Sequence, residues 1–382
     1  MIMKFIKNPF FSILLIIFIG CSKNNDEVSP ISTKEKRTFY MGTTPWPADL
    51  TVAEVTKTYD FINNNCDIVA HHFDEGIPFE EAFNNTAMPN SLVDNMNFRL
   101  QKTAPTKIIF LSVSALAINR KSKASYYNGA TTANNTKTYW ENLSFDDPKI
   151  ITAYVNYVNW LISKFHPIYV NYGVESNAMS WNPSEFIKYK YFLAQVYQKL
   201  KINNPNIPLF VSFIVDESPQ GFDYANQLIN YTDFIGLSAY PYIGVSSSAN
   251  GDTNPANFPA NYFEKYINLS SIKPLAFAET GYTAENLVIS GLNLNKQSNE
   301  IYQKDYLEKV LTICNVKKAK LFIWFCPKDY NALITNFQDQ GIYTQQTIDL
   351  LSLWKDIGLI NENGVQRPAY NTWINWMNIE KE

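Results

Sequence analysis

Histidine is scarce in this chain of 382 residues, which contains only three. A metal centre built from histidines is therefore not expected, and we predict neither a metal nor an organic cofactor. Cysteine is almost as scarce, and Cys66, Cys314 and Cys326 lack the short spacing of a metal site, so we predict three buried thiols. The net charge of −3 comes without a block of basic residues. Nucleic acid is therefore not expected as a partner.

Long apolar runs are also lacking, and the one near the start of the chain covers only residues 10–19. It is too short to cross a bilayer comfortably as a mature helix. Lys4 and Lys7 precede it and a small residue, Gly20, follows it. These features predict a removable export signal over residues 1–20.

Cys21 follows Gly20 directly, and this pair after an apolar run resembles the lipobox of bacterial lipoproteins. The resemblance implies cleavage before Cys21 and a lipid anchor on its thiol; an ordinary secretory signal that ends near a cysteine remains the alternative. Residues 21–37 are polar and charged, which predicts a flexible tether. The stretch 21–27 resembles the acidic tethers of surface-displayed Bacteroidetes lipoproteins. That implies an outer-membrane protein facing the periplasm or the cell surface, with the lipid as its membrane contact.

Eight short apolar runs recur from residue 38 onward, and most lack the strict alternation of a half-exposed strand. Amphipathic segments lie between them, the clearest being Asp146–Phe165. This order predicts an α/β fold, a single (β/α)8 barrel over residues 38–382. An open doubly wound sheet is the competing fold, but no glycine-rich dinucleotide motif follows the first run. The predicted strands are Thr38–Gly42, Ile68–His72, Lys107–Val113, Ile168–Val174, Leu209–Val215, Phe234–Ala239, Leu275–Ala278 and Lys320–Phe325. The other predicted helices are Val52–Asn63, Ser184–Ile202, Tyr224–Tyr231, Phe258–Ile267, Gln297–Val316, Thr344–Ile357 and Pro368–Met377.

Long loops follow five of the predicted strands, for example Asn119–Asp146 and Pro241–Asn257. In a barrel the loops after the strands build the functional face, so a cleft is expected between them. Aromatic residues make up 15% of the chain, and those beyond the needs of a core suit the flat C–H face of a sugar.

Two glutamates close predicted strands: Glu175 ends the fourth and Glu279 ends the seventh. A carboxylate there is unusual in a purely structural role, because burial of an unpaired charge is costly. Loop capping remains the alternative for either residue alone, but it explains both together poorly. Both would face the same end of a barrel. Two carboxyls about 5–5.5 Å apart are the apparatus of glycoside hydrolysis with retention.

The placement resembles the glycoside hydrolases of clan A, and it implies Glu175 as acid/base and Glu279 as nucleophile. Residues 234–242 look like the sixth strand of the arabinogalactan-type endo-β-1,4-galactanases, which implies that Tyr240 holds the nucleophile by a hydrogen bond. Residues 321–325 resemble strand eight of the clan, which implies that Trp324 floors the subsite of the attacked sugar. The segment from residue 358 to 373 is similar to the closing segment of many members.

One position departs from the clan, which usually has asparagine directly before the acid/base glutamate to hold the sugar 2-hydroxyl. Here that position is Val174, which can neither donate nor accept a hydrogen bond. Asn177 is the candidate replacement from the loop. If nothing replaces the contact, the enzyme is slow, inactive, or acts on a substrate without that anchor.

Other candidates for substrate contacts follow predicted strands. His71 and His72 are consecutive and point to opposite faces, so at most one can face the site, and His72 is the candidate for a substrate hydrogen bond, with a structural role as the alternative. The candidate stacking residues, each explained as well by loop packing, are Trp46, Trp181, Tyr242 and Tyr282. The rival carboxylates, for which loop capping is an equally good account, are Asp74, Glu75, Asp216 and Glu217.

The leading hypothesis is a monomeric, retaining glycoside hydrolase that acts on a β-linked polysaccharide or oligosaccharide. It requires Glu279 ionised and Glu175 protonated before attack. The alternative is a surface glycan-binding lipoprotein on a catalytically degenerate barrel; turnover that depends on Glu279 would distinguish the two. A barrel enzyme for phosphorylated small molecules is a weaker third hypothesis, because no glycine-rich phosphate loop follows the seventh or eighth strand.

Overall fold

A computed structural model describes residues 36–120, 122–127, 132–178, 181–244, 251–341 and 343–382. The predicted signal, Cys21 and residues 22–35 of the predicted tether lie outside these residues. The last residue of that tether, Arg37, is buried and forms an ion pair with Asp67 at 2.6 Å, so the barrel begins slightly before residue 38. Among the described residues, no helix has the length and apolarity needed to cross a bilayer.

Eight parallel strands form a closed barrel, which confirms the predicted (β/α)8 fold. The ring closes because the first strand pairs in parallel with the last, as well as with the second. The barrel strands are β1 (Tyr40–Thr43), β2 (Ile68–Phe73), β3 (Ile108–Val113), β4 (Tyr169–Gly173), β5 (Leu209–Ile214), β6 (Ile235–Ala239), β7 (Leu275–Thr280) and β10 (Leu321–Trp324). Between the last two, β8 (Leu287–Ile289) and β9 (Leu294–Lys296) form an antiparallel hairpin.

Helices surround the barrel, and the best predicted one, α5, begins at Pro148 because the Asp147 side chain caps its N-terminus. Five of the helices were not predicted, namely α2, α3, α4, α8 and α11. One of them, α3, buries only Leu92 and Met96, so its apolar periodicity is weak. The helices are α1 (Val52–Asn65), α2 (Phe79–Asn84), α3 (Asn90–Lys102), α4 (Asn134–Asn142), α5 (Pro148–Phe165), α6 (Pro183–Asn203), α7 (Pro219–Leu228), α8 (Pro241–Gly244), α9 (Glu264–Ile267), α10 (Glu300–Val316), α11 (Asn331–Gln340), α12 (Gln345–Leu351) and α13 (Pro368–Met377).

The predicted helix Phe258–Ile267 is wrong over most of its length, since only α9 is an α-helix there. Residues 260–263 before α9 form turns, in which the Tyr262 amide donates to the carbonyl of Pro259 three residues back at 3.0 Å. The prediction of buried thiols is confirmed, because Cys66, Cys314 and Cys326 are buried and form no disulfide.

Buried apolar residues form two layers, one inside the barrel and one between the barrel and its helices. The alternation of side chains along each strand divides them between the two. The inner layer consists of Ile68, Ala70, Phe110, Phe210, Phe234, Ala276, Ala278, Leu321 and Ile323. Residues that follow a strand on its inner face therefore lie at the mouth of the barrel.

Candidate active site

Glu175 lies in the turn after β4, where that strand departs from regular register. The pairing of β4 with β5 shifts between Asn171 and Gly173, and a bulge of this kind redirects the side chains that follow. The amide of Glu175 donates to Ser212 Oγ at 2.9 Å, and Ser238 Oγ donates to Glu175 Oε1 at 2.7 Å. Side chains of β5 and β6 thus hold this glutamate at the barrel mouth.

The turn to Glu175 requires glycine at position 173. A Cβ atom there would lie 2.8 Å from both Ser176 Oγ and a methyl carbon of Val211. No real Cβ contact is that short, so any larger residue would displace the turn.

Glu279 lies in β7 and also follows a register shift. The pairing of β7 with β6 shifts between Leu237 and Ser238, which leaves Ala278 as an extra residue. Although Ala278 belongs to the inner layer, the bulge lets its neighbour Glu279 face the barrel mouth as well. Tyr240 donates its hydroxyl to Glu279 Oε1 at 2.6 Å, which is the hydrogen bond that the resemblance implied.

Both glutamates line one cavity of about 360 Å³, and their side chains are only 15% and 18% exposed. Its volume lies within the range of ligand pockets in proteins. The other lining residues are Thr44, Pro45, Trp46, Pro47, Leu50, Val55, Tyr59, His72, Asp74, Glu75, Asn95, Phe98, Arg99, Ile118, Arg120, Phe325, Tyr330, Leu351 and Trp354.

The pKa of the Glu279 carboxyl is raised to about 7. Burial is the largest cause and the negative charge of Glu175 adds to it, while the Tyr240 hydrogen bond and the charge of Arg120 act in the opposite direction. The raised pKa favours the protonated form of Glu279 and so opposes the ionised state that its predicted role requires, whereas Tyr240 and Arg120 favour ionisation.

His72 faces this cavity and His71 does not, as the alternation along β2 requires. His72 Nδ1 lies 3.6 Å from Glu279 Oε2, and Nε2 lies 3.9 Å from Asp74 Oδ2. Burial lowers the pKa of His72, which favours the neutral ring. His71 is fully buried on the other face, with Nε2 3.1 Å from Thr103 Oγ1. Only His72 can therefore contact a ligand in the cavity.

Arg120 lies against Glu175, although no motif in the sequence marks it. Its Nε donates to Glu175 Oε2 at 2.7 Å, and its Nη1 donates to the carbonyl of Ala117 at 3.3 Å. The Arg120 side chain is 11% exposed. A lone arginine in a polar loop gives no signal in sequence, so only the course of the loop after β3 identifies it.

Aromatic rings form one wall of the cavity. The ring centroid of Trp46 lies 5.8 Å from those of Phe325 and Tyr330. The ring centroid of Trp354 lies 5.6 Å from that of Tyr240. The Nε1 groups of Trp46 and Trp354 are buried and have no hydrogen-bond partner among the described residues. Buried donors without a partner are rare in native proteins, and a bound ligand or water is one explanation for them. Of the four rings of this wall that line the cavity, Trp46, Phe325, Tyr330 and Trp354, the sequence analysis singled out only Trp46.

The prediction that Trp324 floors a sugar subsite is wrong. Leu321 and Ile323 of β10 fill the barrel interior, so the alternation of the strand turns Trp324 outward. It is fully buried in the helical layer and donates Nε1 to the carbonyl of Ile357 at 2.8 Å. The next residue, Phe325, lines the cavity instead.

Asn177 does not replace the missing asparagine, and that prediction is also wrong. Its Nδ2 donates to the carbonyls of Ile214 and Gly221 at 3.0 Å each, and its Oδ1 accepts from the Ile214 amide at 2.7 Å. The side chain is fully buried and its role is to join two loops. Val174 is buried too and does not line the cavity.

Trp181 and Tyr282, predicted as stacking platforms, pack within the protein outside the cavity. Trp181 is buried and stacks on Tyr189 with ring centroids 5.1 Å apart. Tyr282 is fully buried and donates its hydroxyl to the carbonyl of Thr253. Both rings are used to pack their own loops. The sequence alone cannot distinguish such a ring from one that stacks on a sugar. Tyr242 is likewise buried, and its hydroxyl donates to a backbone carbonyl at 2.8 Å.

The rival carboxylates divide between the cavity and the loops. Asp74 and Glu75 line the cavity, whereas Asp216 does not. Asp216 accepts from the Tyr266 hydroxyl at 3.1 Å and from the Ser218 amide at 3.0 Å, which is the loop-capping role.

One group of three carboxylates among the described residues has the spacing of a metal site, Glu285, Asp329 and Glu362, with oxygens within 4.8 Å of one another. The guanidinium of Arg367 donates to Glu285 and to Asp329. The positive charge that a metal ion would bring to these carboxylates is therefore supplied by Arg367.

Comparison with known proteins gives matches only at the level of structure. No family model matches the sequence, and no curated protein matches it. The exo-β-1,4-mannosidase Op5Man5 from Opitutaceae bacterium strain TAV5 matches with a TM-score of 0.59 and 14% identity, over 89% of this chain and 59% of that chain. Native xylanase 10B from Thermotoga maritima matches with a TM-score of 0.57 and 12% identity, over 89% of this chain and 94% of that chain.

The GH53 catalytic domain from Ignisphaera aggregans matches with a TM-score of 0.53 and 15% identity, over 93% of this chain and 98% of that chain. Identities this low are evidence of fold alone. The chain spans about three fifths of the length of the mannosidase and nearly all of the other two. Its fold is the (β/α)8 barrel that these glycoside hydrolases share.

Proposed function

We propose that this protein is a retaining glycoside hydrolase that acts on a β-linked polysaccharide or oligosaccharide. The observation that carries the proposal is the pair Glu175 and Glu279, which line one cavity at the barrel mouth while different neighbours hold each carboxyl. Glu175 is the acid/base and Glu279 is the nucleophile. A pair of carboxyls in one cavity is what the two roles need.

The reaction proceeds by double displacement. Ionised Glu279 attacks the anomeric carbon and forms a glycosyl ester, while protonated Glu175 gives its proton to the departing glycosidic oxygen. A water molecule then attacks the same carbon, Glu175 takes its proton, and Glu279 leaves as a carboxylate. Tyr240 stabilises that carboxylate with its 2.6 Å hydrogen bond.

The cavity wall supports a sugar ligand. The rings of Trp46, Phe325 and Trp354 offer flat apolar faces, and His72, Asp74 and the two glutamates offer hydrogen-bonding groups. The structural neighbours are named for β-1,4-mannosidase and xylanase activity, and the galactanase-like segment 234–242 adds a third sugar. We therefore propose the β-glycan class without choosing one sugar.

The test is release of reducing ends by purified protein that begins after Cys21. The panel holds plant and algal β-glycans and the 4-nitrophenyl β-glycosides of the common sugars. Activity on at least one compound, lost in Glu279→Ala, is expected. Binding without turnover, equal in wild type and Glu279→Ala, would instead establish the glycan-binding alternative.

Activity is expected to fall below pH 7 because Glu279 must be ionised to attack. With the pKa of Glu279 raised to about 7, kcat/KM drops tenfold for each pH unit below that value. Dinitrophenyl glycosides are the probe, since their leaving group needs no proton from Glu175. The groups that face Glu279 are Glu175, Tyr240, Arg120, Asp74 and His72.

The matched variant for this pH profile is Tyr240→Phe. The Tyr240 hydrogen bond lowers the pKa of Glu279, so its loss is expected to move the acidic limb to higher pH. An acidic limb near the ordinary glutamate value in both proteins would contradict the assignment of this limb to Glu279.

We also propose that Cys21 carries a lipid that anchors the protein to the outer membrane. Cys21→Ser is expected to move the protein from the membrane fraction to the soluble fraction of the cell envelope. Its melting temperature is expected to equal that of the wild type, because the contacts of the described residues with the barrel begin only at Lys36 and Arg37, and the substitution removes none of them. Membrane association that survives the substitution would refute the anchor.

A further inference from the structure

The residues nearest in sequence to Glu175 cannot bind the hydroxyl beside the scissile bond. A hydrogen bond to the sugar 2-hydroxyl strengthens in the transition state of glycoside hydrolysis. Val174 is apolar and buried, and the Asn177 amide already makes three hydrogen bonds to backbone groups. A donor for this hydroxyl therefore has to come from another loop.

Arg120 lies beside Glu175, and its charge also acts on Glu279. Its Nε is 2.7 Å from Glu175 Oε2, and its positive charge reaches Glu279, whose pKa it lowers. It lines the cavity with only 11% of its side chain exposed. The anomeric carbon of a bound sugar has to lie between the two carboxyls, so a guanidinium bonded to one of them lines the same part of the cavity.

The backbone supports a functional role for the same contact. Arg120 has φ +55° and Glu175 has φ +52°, and both are residues other than glycine in the left-handed region. Such conformations persist only where the surroundings enforce them, and they cluster at active sites. Here the two unusual residues are joined directly by their side chains.

The contact also distinguishes the two oxygens of Glu175. Because Arg120 Nε donates to Oε2, only Oε1 is left to carry a proton when Glu175 acts as an acid. Ser238 Oγ lies 2.7 Å from Oε1, and its hydroxyl can rotate to accept or donate. Arg120 thereby orients one particular oxygen for proton transfer.

We propose that Arg120 is the positioning residue of the acid/base Glu175, and that its guanidinium also donates to the 2-hydroxyl of the attacked sugar. The inference rests on the proposed function. The five N–H donors of a guanidinium form a planar fork, so one edge can hold Glu175 while another N–H reaches the sugar.

The test measures coupling between Arg120 and the 2-hydroxyl. The probes are the best 4-nitrophenyl β-glycoside among the gluco, galacto, manno and xylo series and its 2-deoxy counterpart. Wild type is expected to lose roughly 100- to 1,000-fold in kcat/KM on the 2-deoxy probe. Arg120→Ala is expected to lose a similar factor on the normal probe and to discriminate less than tenfold between the two.

Chemical rescue separates positioning from a merely structural role. Added guanidinium chloride at millimolar concentration is expected to restore part of the activity of Arg120→Ala and none of that of Glu175→Ala. Arg99→Ala is the matched control, because Arg99 is another cavity arginine but donates to Glu75 at 3.1 Å rather than to Glu175. This control is expected to keep the full wild-type discrimination against the 2-deoxy probe.

Two outcomes overturn the inference, and they are distinguishable. If wild type is active and Arg120→Ala discriminates against the 2-deoxy probe as strongly as wild type, the inference fails alone. If wild type hydrolyses none of the probes or panel glycans, the proposed function fails and the inference fails with it. Arg120→Lys keeps the positive charge but loses the planar fork of N–H donors, and it replaces Arg120→Ala in this comparison if that variant does not fold. Reduced discrimination against the 2-deoxy probe is expected for Arg120→Lys too.

Discussion

Replacing Glu279 with alanine is expected to lower kcat by on the order of 10⁴- to 10⁶-fold on every substrate, as loss of a nucleophile does in other covalent catalysts. Among the described residues that line the cavity, Glu279 is the one whose carboxyl accepts a hydrogen bond from Tyr240. Steady-state release of 4-nitrophenol measures the loss, with circular dichroism to show that the fold is kept. Wild-type activity that survives this substitution would end the assignment.

Glu175→Ala is the companion variant and is expected to behave differently. Turnover of dinitrophenyl glycosides is retained in part, because this leaving group departs without a proton, whereas turnover of natural linkages is lost. Azide is expected to accelerate the variant by attacking the glycosyl ester at Glu279 in place of water. The product is then a β-glycosyl azide, which mass spectrometry identifies.

The stereochemistry of the product gives an independent check of these roles. Carboxyls about 5–5.5 Å apart retain the anomeric configuration, while a spacing of about 6.5–9.5 Å admits a water and inverts it. Proton NMR of a β-glycoside digest is expected to show the β-anomer first. Initial release of the α-anomer would assign Glu279 as a general base instead of a nucleophile.

Arg367→Met is expected to destabilise the barrel by about 3–5 kcal/mol, because it leaves the buried Asp329 carboxylate without its partner. Asp329 is 1% exposed and Arg367 is 2% exposed. Arg367 also donates to Glu300 at 2.7 Å, and Asp329 accepts from the Gly358 amide at 2.7 Å. These bonds connect the loop after β10 to the closing segment. The midpoint of chemical denaturation measures the change.

Two controls show whether burial is the cause. In the double variant Arg367→Met with Asp329→Asn, no charge is left unpaired, so the loss is expected to be smaller than the sum of the single changes. Lys317→Gln breaks an ion pair with Glu264 that is largely exposed, and a loss below about 1 kcal/mol is expected. Equal losses in Arg367→Met and Lys317→Gln would exclude the buried pair as a main source of stability.

Sequence by itself determined the barrel and its two glutamates. Strands that are buried on both faces appear in the sequence as continuous apolar runs. Eight such runs that alternate with helices are the pattern of the (β/α)8 barrel. The end of an apolar run can be read directly from the sequence. Glu175, Glu279 and His72, the histidine of β2 that faces the cavity, were found for this reason. Tyr240 was found through a short segment whose residues are contiguous in sequence.

Only the tertiary structure decided which side chains face the cavity. A strand has a period of two residues, so a shift of one residue moves a side chain to the other face, and the sequence does not mark the shift. The bulges in β4 and β7 turn Glu175 and Glu279 towards the mouth, while regular β10 turns Trp324 away and brings Phe325 in. Arg120 reaches Glu175 from 55 residues away because loop closure, not sequence proximity, brings them together.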